Sequence, residues 1–210
     1  MRLRHFTMLF AILLFAVLSI MNGRQHLRER VARESWCYDR CIDFAVDMAA
    51  QHMAVYSDGC LTVDCELAVE AFFNNLAAGL GVLDQRAVRE RLYFMVPFIV
   101  ITDEEGYYLW HFADEQRLEH VWDAKVYFAK EEGKTRAEML EAVLREYSGA
   151  TVEFFLPEAD ENFWLRGTEQ PGIFVYLQGL PLSAAGKTYQ RIAFAGAQIS
   201  KKALTYSALP

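Results

Sequence analysis

Proline, cysteine and positive charge are all scarce in this chain. Of its 210 residues, 5 are Pro and 4 are Cys, and no Pro interrupts residues 24–56. Because proline breaks helices, its absence leaves that stretch free to form a long helix. The 21 Lys and Arg residues are outnumbered by 28 Asp and Glu, which gives a formal net charge of −7. An acidic body is a poor partner for nucleic acid, so we exclude that class of function.

Several sequence patterns of catalytic sites are also missing. The chain contains no Gly-x-Ser-x-Gly nucleophile elbow, no His-Glu-x-x-His motif and no paired Cys/His signature. The segment "GLPLSAAGKTY" ends in Gly-Lys-Thr, but six residues separate Gly179 from Gly186, whereas a phosphate-binding loop has four. We expect this segment to form a hairpin loop. From the missing patterns, we expect the protein to be non-enzymatic and to bind no cofactor.

The cysteines raise the question of a metal or redox site, and their spacing formally suits zinc: Cys37, Cys41, Cys60 and Cys65. Geometry argues against it. A helix from Cys41 to Tyr56 rises about 22 Å, and the four residues to Cys60 return at most about 14 Å. The remaining gap of roughly 8 Å is awkward for a shared ion. We therefore expect no metal site. A disulfide between Cys60 and Cys65 remains an alternative if the body faces an oxidising compartment.

The amino-terminal segment differs from the rest in charge and hydropathy. Residues 1–34 carry six Arg and two Glu, a net of +4, so the other residues carry −11. Residues 6–22, "FTMLFAILLFAVLSIMN", have no charge and would span roughly 26 Å as a helix. We expect residues 1–23 to be an uncleaved, single-pass membrane anchor, because neither a small-x-small cleavage pattern nor a lipobox follows. A cleaved signal peptide and a buried helix are the alternatives. The short basic head, residues 1–5 ("MRLRH"), favours an orientation in which the body is extracytoplasmic. The positive-inside rule alone does not decide the orientation, because arginines lie on both sides of the apolar segment.

The remaining patterns predict an α+β body. Residues 24–95 read as a helical stalk and hairpin: a helix through residue 56, a turn at Asp58-Gly59, a second helix capped by Asp64 and a short third helix capped by Asp84. Residues 96–210 read as a mostly antiparallel sheet packed on the hairpin, with one inserted helix over 135–147 that has a Thr135/Glu138 capping box. The predicted strands are residues 96–102, 107–112, 122–130, 151–156, 172–178 and 188–199.

The cysteines of the stalk also fit a structural role. Four residues recur at helical spacing and predict one side of a packing seam: Cys37, Cys41, Met48 and His52. The other side would be the stripe of the second helix: Cys65, Val69, Phe72 and Leu76. Free Cys and Met are common in cores. Asp39, Asp43 and Asp47 fall on a different face, which we expect to be solvated.

Two family resemblances follow from these patterns. The basic head, the apolar helix and the run-on helix "CIDFAVDMAAQHMAVYSDGCLTVDCELAVEAFF" before a β-rich remainder resemble TadE-like and pseudopilin-like proteins of Gram-positive pilus or secretion loci. Since the Gly-then-Glu processing site of prepilins is lacking, that resemblance implies a minor subunit or assembly component of a pilus, secretion or conjugation apparatus, with membrane and pilus subunits as partners.

The second resemblance covers "VPFIVITDEEGYYLWHF", which is similar to the strand-turn-strand of Cache and PAS sensor domains. It implies an extracytoplasmic ligand-binding domain, with a candidate ligand face formed by Tyr107, Tyr108, Trp110 and His111. As metal ligands, His111, Asp114 and His120 are weaker candidates, and we expect them to be ordinary surface residues.

Overall fold

One uninterrupted helix dominates the amino-terminal part of the molecule. The computed structural model describes residues 2–57, 60–113, 119–128, 135–148, 171–184 and 187–199. Helix α1 spans Arg2–His52, 51 residues, or about 76 Å. Among the side chains of α1 that the structure describes, the first buried one is Ile42, and Tyr38 one turn earlier packs partly against the core. Only about the last four turns of α1 therefore pack into the body.

Within the described residues, we find no helix that is long and apolar enough to cross a membrane.

After α1 the chain forms a small hairpin and two further helices. Strands β1 (Ala54–Ser57) and β2 (Cys60–Val63) pair antiparallel. Helix α2 spans Cys65–Gly79, and helix α3 spans Arg86–Phe94. The Asp64 carboxylate accepts a hydrogen bond from the Leu67 amide at 2.9 Å, which confirms the predicted cap of α2.

The second half of the chain builds a six-stranded antiparallel sheet. Its strands are β3 (Phe98–Thr102), β4 (Gly106–Phe112), β5 (His120–Trp122), β6 (Val126–Tyr127), β7 (Gly172–Ala184) and β8 (Lys187–Gln198). The order is β5-β4-β3-β7-β8, and β6 pairs with the other end of the β4 edge. Helix α4 spans Arg136–Ser148. Thr135 and Glu138 exchange hydrogen bonds of 2.8 and 3.2 Å, so the predicted capping box is confirmed.

Side-chain alternation along the strands divides the core into two layers. Ile99, Ile101 and Val175 face α1 and α2, where they pack among Ile42, Val46, Phe72 and Leu76. Phe98, Val100 and Phe174 face the opposite side, where they pack with Leu140 and Leu144 of α4. The molecule is therefore an α+β protein with a long amino-terminal helix and an antiparallel sheet covered on both faces.

Three details of the predicted elements differ from the structure. Helix α1 ends at His52 instead of continuing to Tyr56, because residues 54–57 pair with β2. Asp84 does not cap α3; Gln85 occupies the cap position, without a side-chain hydrogen bond. The strand predicted over 122–130 is split into β5 and β6. Residues 58–59, Asp114, the strand predicted over 151–156 and the loop residues 185–186 lie outside the described residues.

Candidate functional site

The buried face of α1 is rotated from the one the sequence predicted. Cys37 and His52 are exposed, and Cys41 and Met48 are half-buried. The buried side chains are Ile42, Ala45, Val46, Ala49 and Ala50 of α1, together with Met53 directly after it. The predicted face was wrong for Cys37 and His52, because this helix contacts α2 and the sheet at the same time and three alanines let both neighbours approach closely. Cys41 does contact the end of α2, at Gly79.

The other half of the predicted seam lies on α2. Val69, Phe72 and Leu76 are buried in the core, and Cys65 is half-buried at the first turn. Cys65 is a free thiol in this structure, which therefore does not contain the Cys60–Cys65 disulfide that the sequence left possible. The side chain of its proposed partner, Cys60, lies outside the described residues.

The four residues predicted to form a ligand face do not share a face. Tyr108 and Trp110 stand opposite Ile101 and Ile99 and point toward α2, whereas Tyr107 and His111 point toward α4. Trp110 is buried against Phe73, with ring centroids 5.7 Å apart. The prediction was wrong because consecutive strand residues alternate between two layers, and both layers are filled.

An open groove of about 450 Å³ lies beside the first turn of α2. Its walls come from the β1–β2 hairpin, the start of α2 and the sheet: Val55, Thr62, Val63, Asp64, Cys65, Glu66, Tyr108 and Trp122. Both carboxylates on its rim belong to α2 or its cap. The groove has the size of a small-molecule site, but it is open rather than enclosed by apolar walls.

A lysine clamp lies next to this groove, behind Tyr108. Lys125 Nζ lies 2.7 Å from Asp103 Oδ2 and 2.9 Å from Glu105 Oε2. The same ammonium lies over the rings of Tyr108 and Tyr127, 5.6 and 5.1 Å from their centroids. Burial alone lowers the pKa of Lys125, but the hydrogen bonds to Asp103 and Glu105 outweigh it and raise that pKa. Lys125 therefore stays charged and ties β6 to the β3–β4 turn.

The electrostatics of the groove disfavour nucleophilic chemistry. Burial, followed by the negative charges of Asp103 and Asp64, raises the pKa of the Cys65 thiol to about 12. A nucleophilic cysteine needs the opposite shift, because only the thiolate attacks. Burial also raises the pKa of Tyr108. Neither the Cys65 thiol nor the Tyr108 hydroxyl is activated as a nucleophile, and the two carboxylates on the rim, Asp64 and Glu66, are exposed.

The two strand histidines have structural contacts rather than a shared site. His120 stacks on Trp110 with ring centroids 3.8 Å apart, and its Nε2 lies 3.0 Å from the Val96 carbonyl oxygen. Burial lowers the pKa of His120. His111 points to the other layer, where Nδ1 donates to the Phe112 carbonyl at 2.7 Å. Its Nε2 is buried 3.2 Å from Asp123 Oδ2, without hydrogen-bonding geometry. Across the described part of the chain, no group of three or more His, Cys, Asp and Glu side chains is placed to hold a metal ion.

An exposed aromatic surface on α1 is the feature that sequence reasoning missed. Trp36 and Phe44 are 57% and 52% exposed, and the Arg40 guanidinium lies 4.9 Å from the centre of the Trp36 ring. Asp43 and Asp47 are exposed beside them. The four-residue spacing of Trp36, Arg40 and Phe44 was visible in the sequence, but it gains meaning only once the buried face of α1 is known.

A second exposed surface covers the amino-terminal part of α1. Of the side chains that the structure describes there, nine large apolar ones are exposed: Met8, Phe10, Leu13, Leu14, Phe15, Val17, Leu18, Ile20 and Met21. Together they surround the helix rather than forming one stripe. Exposed apolar surfaces of this extent are typical of regions that contact lipid or another protein.

Comparison with models of protein families, with curated proteins and with solved structures gave no match.

Proposed function

We propose that this chain is a non-enzymatic, membrane-anchored subunit or assembly component of a pilus, secretion or conjugation apparatus. In this proposal residues 6–22 lie in the membrane, and the rest of α1 holds the α+β body away from it. The observation that carries it is the ring of exposed apolar side chains over residues 8–21, which make no part of the core. An apolar ring of this size is stabilised when lipid or protein, rather than water, covers it.

The shape of α1 supports a stalk between anchor and body. The helix continues without a break from the apolar segment to the body, and its packing begins near Tyr38 and Ile42. Between them, the exposed arginines Arg24, Arg28, Arg30 and Arg33 suit a polar region outside the lipid. This layout matches the one implied by the resemblance to TadE-like and pseudopilin-like proteins.

The filled sheet favours assembly over sensing. A sensor of the Cache or PAS type would need a ligand pocket on the sheet, but Tyr107 and Trp110 are buried in two separate layers. The groove at Tyr108 and Trp122 is open rather than enclosed, whereas α1 presents two exposed aromatic residues, Trp36 and Phe44. Exposed aromatics on a polar surface are typical of protein–protein contacts.

Membrane association is tested by fractionation of the full chain. The protein should stay in the pellet after washing with carbonate or high salt. Leu14→Arg combined with Val17→Arg should release it, because each arginine in the middle of an apolar span costs about 2.5–3.5 kcal/mol on insertion. Phe44→Arg, on the same helix beside the body, is the matched control and should remain in the pellet. Full-length wild-type protein in the soluble fraction would overturn the proposal.

The side of the membrane on which the body lies is tested separately. Cys37 is an exposed free thiol, so a membrane-impermeant maleimide should label it in intact cells if the body is extracytoplasmic. Cys37→Ala provides the background from the other thiols. Labelling that requires cell lysis would place the body inside and contradict this part of the proposal.

A further inference from the structure

Two aromatic side chains line the open groove beside α2 from the same face of the sheet. Trp122 of β5 stands opposite Trp110 of β4, and Tyr108 lies two residues before Trp110 on the same strand. Because side chains two residues apart on a strand share a face, Tyr108 and Trp122 are diagonal neighbours at a separation of about 7–8 Å. Both rings are half-buried. A small group placed between them contacts both rings.

Two exposed carboxylates, Asp64 and Glu66, stand on the rim of this groove. Neither forms an ion pair with another residue that the structure describes. Asp64 Oδ1 accepts a hydrogen bond from the Leu67 amide, but this contact leaves the charge of the carboxylate in place. The amino terminus of α2 contributes about half a positive charge, which offsets only about a quarter of the two negative ones. The rim therefore keeps a net negative charge.

The nearby Lys125 does not cancel this charge, because two acids already hold it. Its Nζ lies 2.7 Å from Asp103 Oδ2 and 2.9 Å from Glu105 Oε2, so the three groups together are also negative. The Cys65 thiol in the groove wall responds to the same balance. Burial, followed by the charges of Asp103 and Asp64, raises its pKa to about 12, although Lys125 acts in the opposite direction. The electrostatic potential in the groove therefore favours cations.

The lysine clamp shows which group such surroundings hold. Its ammonium lies 5.6 Å from the centre of the Tyr108 ring and 5.1 Å from that of Tyr127, within the range of about 6 Å in which a ring attracts a cation. Two carboxylates complete that arrangement. The groove repeats the combination with Tyr108 and Trp122 as the rings and with two carboxylates on its rim, and the residues that line it include no Lys or Arg.

We propose that the groove binds an organic cation, with a trimethylammonium or guanidinium group between the rings of Tyr108 and Trp122 and with Asp64 and Glu66 as counter-ions. Aromatic rings favour weakly hydrated cations of this type. A metal ion fits less well, because across the described part of the chain no group of three or more His, Cys, Asp and Glu side chains is placed to hold one. The volume of about 450 Å³ suits a small compound or a single side chain. The site lies in the body and does not depend on the membrane anchor.

A neutral analogue tests whether the groove recognises charge. The probe is choline, added to the full chain purified in a non-ionic detergent, and the analogue carries a tert-butyl group in place of trimethylammonium. The indole N–H resonance of Trp122, assigned with Trp122→Phe, reports occupation of the groove. Choline should shift this resonance and bind at least about tenfold more tightly than the analogue, and added salt should weaken its binding. Equal binding of the two compounds, or no shift at Trp122, would overturn the proposal.

Removing the counter-ions tests their role without disturbing the fold. Asparagine caps helices as well as aspartate does, so Asp64→Asn combined with Glu66→Gln removes both charges and keeps the cap of α2. The affinity of this double variant for choline should fall by about three- to tenfold, while its affinity for the neutral analogue should not change. Asp84→Asn, at an exposed position beyond the other end of α2, is the matched control and should bind choline like wild type. An unchanged affinity of the double variant would show that the cation binds elsewhere.

A blocked peptide distinguishes the two sources of such a cation. Gly-Arg-Gly, capped at both ends, presents a guanidinium as a protein side chain does, and the same peptide with citrulline is its neutral control. Tighter binding of the arginine peptide than of choline would assign the groove to a basic side chain of another protein. Tighter binding of choline would assign it to a free small compound. Each of these outcomes supports a cation site, whereas two cations that bind no better than their neutral counterparts would exclude one.

Discussion

The Cys41 thiol donates a hydrogen bond to the carbonyl oxygen of Gly79, with Sγ 3.3 Å from the oxygen. Gly79 is the last residue of α2, whose final carbonyl groups lack partners within the helix. A Cβ placed on Gly79 would lie 3.2 Å from both Cβ and Sγ of Cys41. The contact is therefore both a polar cap for α2 and a close approach of two helices.

This relationship predicts how substitutions of Cys41 rank. Cys41→Ser should change the free energy of unfolding by less than about 0.5 kcal/mol, because the hydroxyl can donate to the same carbonyl. Cys41→Ala should cost more, about 0.5–1.5 kcal/mol, because the hydrogen bond is lost. Denaturant midpoints of the two variants give the comparison. If serine proved worse than alanine, Cys41 would belong to an apolar seam, as the sequence alone suggested.

The rotated face of α1 gives a second prediction. Met53 is fully buried, so Met53→Ala should leave a cavity and destabilise by about 2–5 kcal/mol. Met48 is only half-buried, and Met48→Ala should cost less than half as much. Chemical denaturation of both variants measures the difference, with m-values to check that the unfolding transition is unchanged.

Asp43→Ala is the control on the solvent side of the same helix. The free energy of unfolding of this variant should lie within about 0.5 kcal/mol of the wild-type value. The substitution also removes one of three aspartates that repel one another: Asp39, Asp43 and Asp47. Equal losses for Met48→Ala and Met53→Ala would show that the buried face is assigned wrongly.

Local sequence signals were enough for the elements whose ends they encode. The Asp64 cap and the Thr135/Glu138 box fix the starts of α2 and α4 through contacts within four residues. The apolar run before "DEEG" and the aromatic run after it form the β3–β4 pair. Such signals involve residues that are close together in the sequence, so they can be recognised without knowledge of the fold.

The sequence was insufficient where the outcome depends on distant neighbours. Helix α1 has apolar residues on several sides, and only its packing against α2 and β7–β8 selects which of them are buried. The four-residue strands β1 and β2 are too short for their alternation to stand out. Lys125 could not be linked to Asp103 before β6 was known to pair with the start of β4.

The lysine clamp supplies a third prediction. Lys125→Met removes the cation between Asp103 and Glu105, so two carboxylates are left facing each other near the sheet edge. We expect a loss of about 1–2 kcal/mol, which thermal or chemical unfolding measures. Lys125→Arg should retain part of the stability, because a guanidinium can still donate to both acids.

The double variant Lys125→Met/Asp103→Asn separates the effect of the lost ion pair from the effect of lost packing. Asp103 Oδ1 also accepts hydrogen bonds from the Glu105 and Gly106 amides at 2.9 and 2.8 Å, and an asparagine can keep them. Adding Asp103→Asn to Lys125→Met should therefore recover stability relative to Lys125→Met alone. A double variant that is less stable than both single variants would contradict the clamp.

His120 predicts a dependence of stability on pH. Burial lowers its pKa, although the hydrogen bond to the Val96 carbonyl acts in the opposite direction and His111 adds to the lowering. The ordinary value is about 6.5, so between the two values the unfolded chain binds more protons than the folded one. The folded state therefore keeps this contribution above pH 6.5 and loses it as the pH falls toward the lowered pKa.

In His120→Gln the Val96 carbonyl keeps a donor but the titrating group is gone. Denaturant midpoints measured from pH 7.5 to 5.0 should fall more steeply for wild type than for His120→Gln. Parallel curves would mean that His120 takes up its proton equally in both states, and that its stack on Trp110 does not disfavour the charged ring.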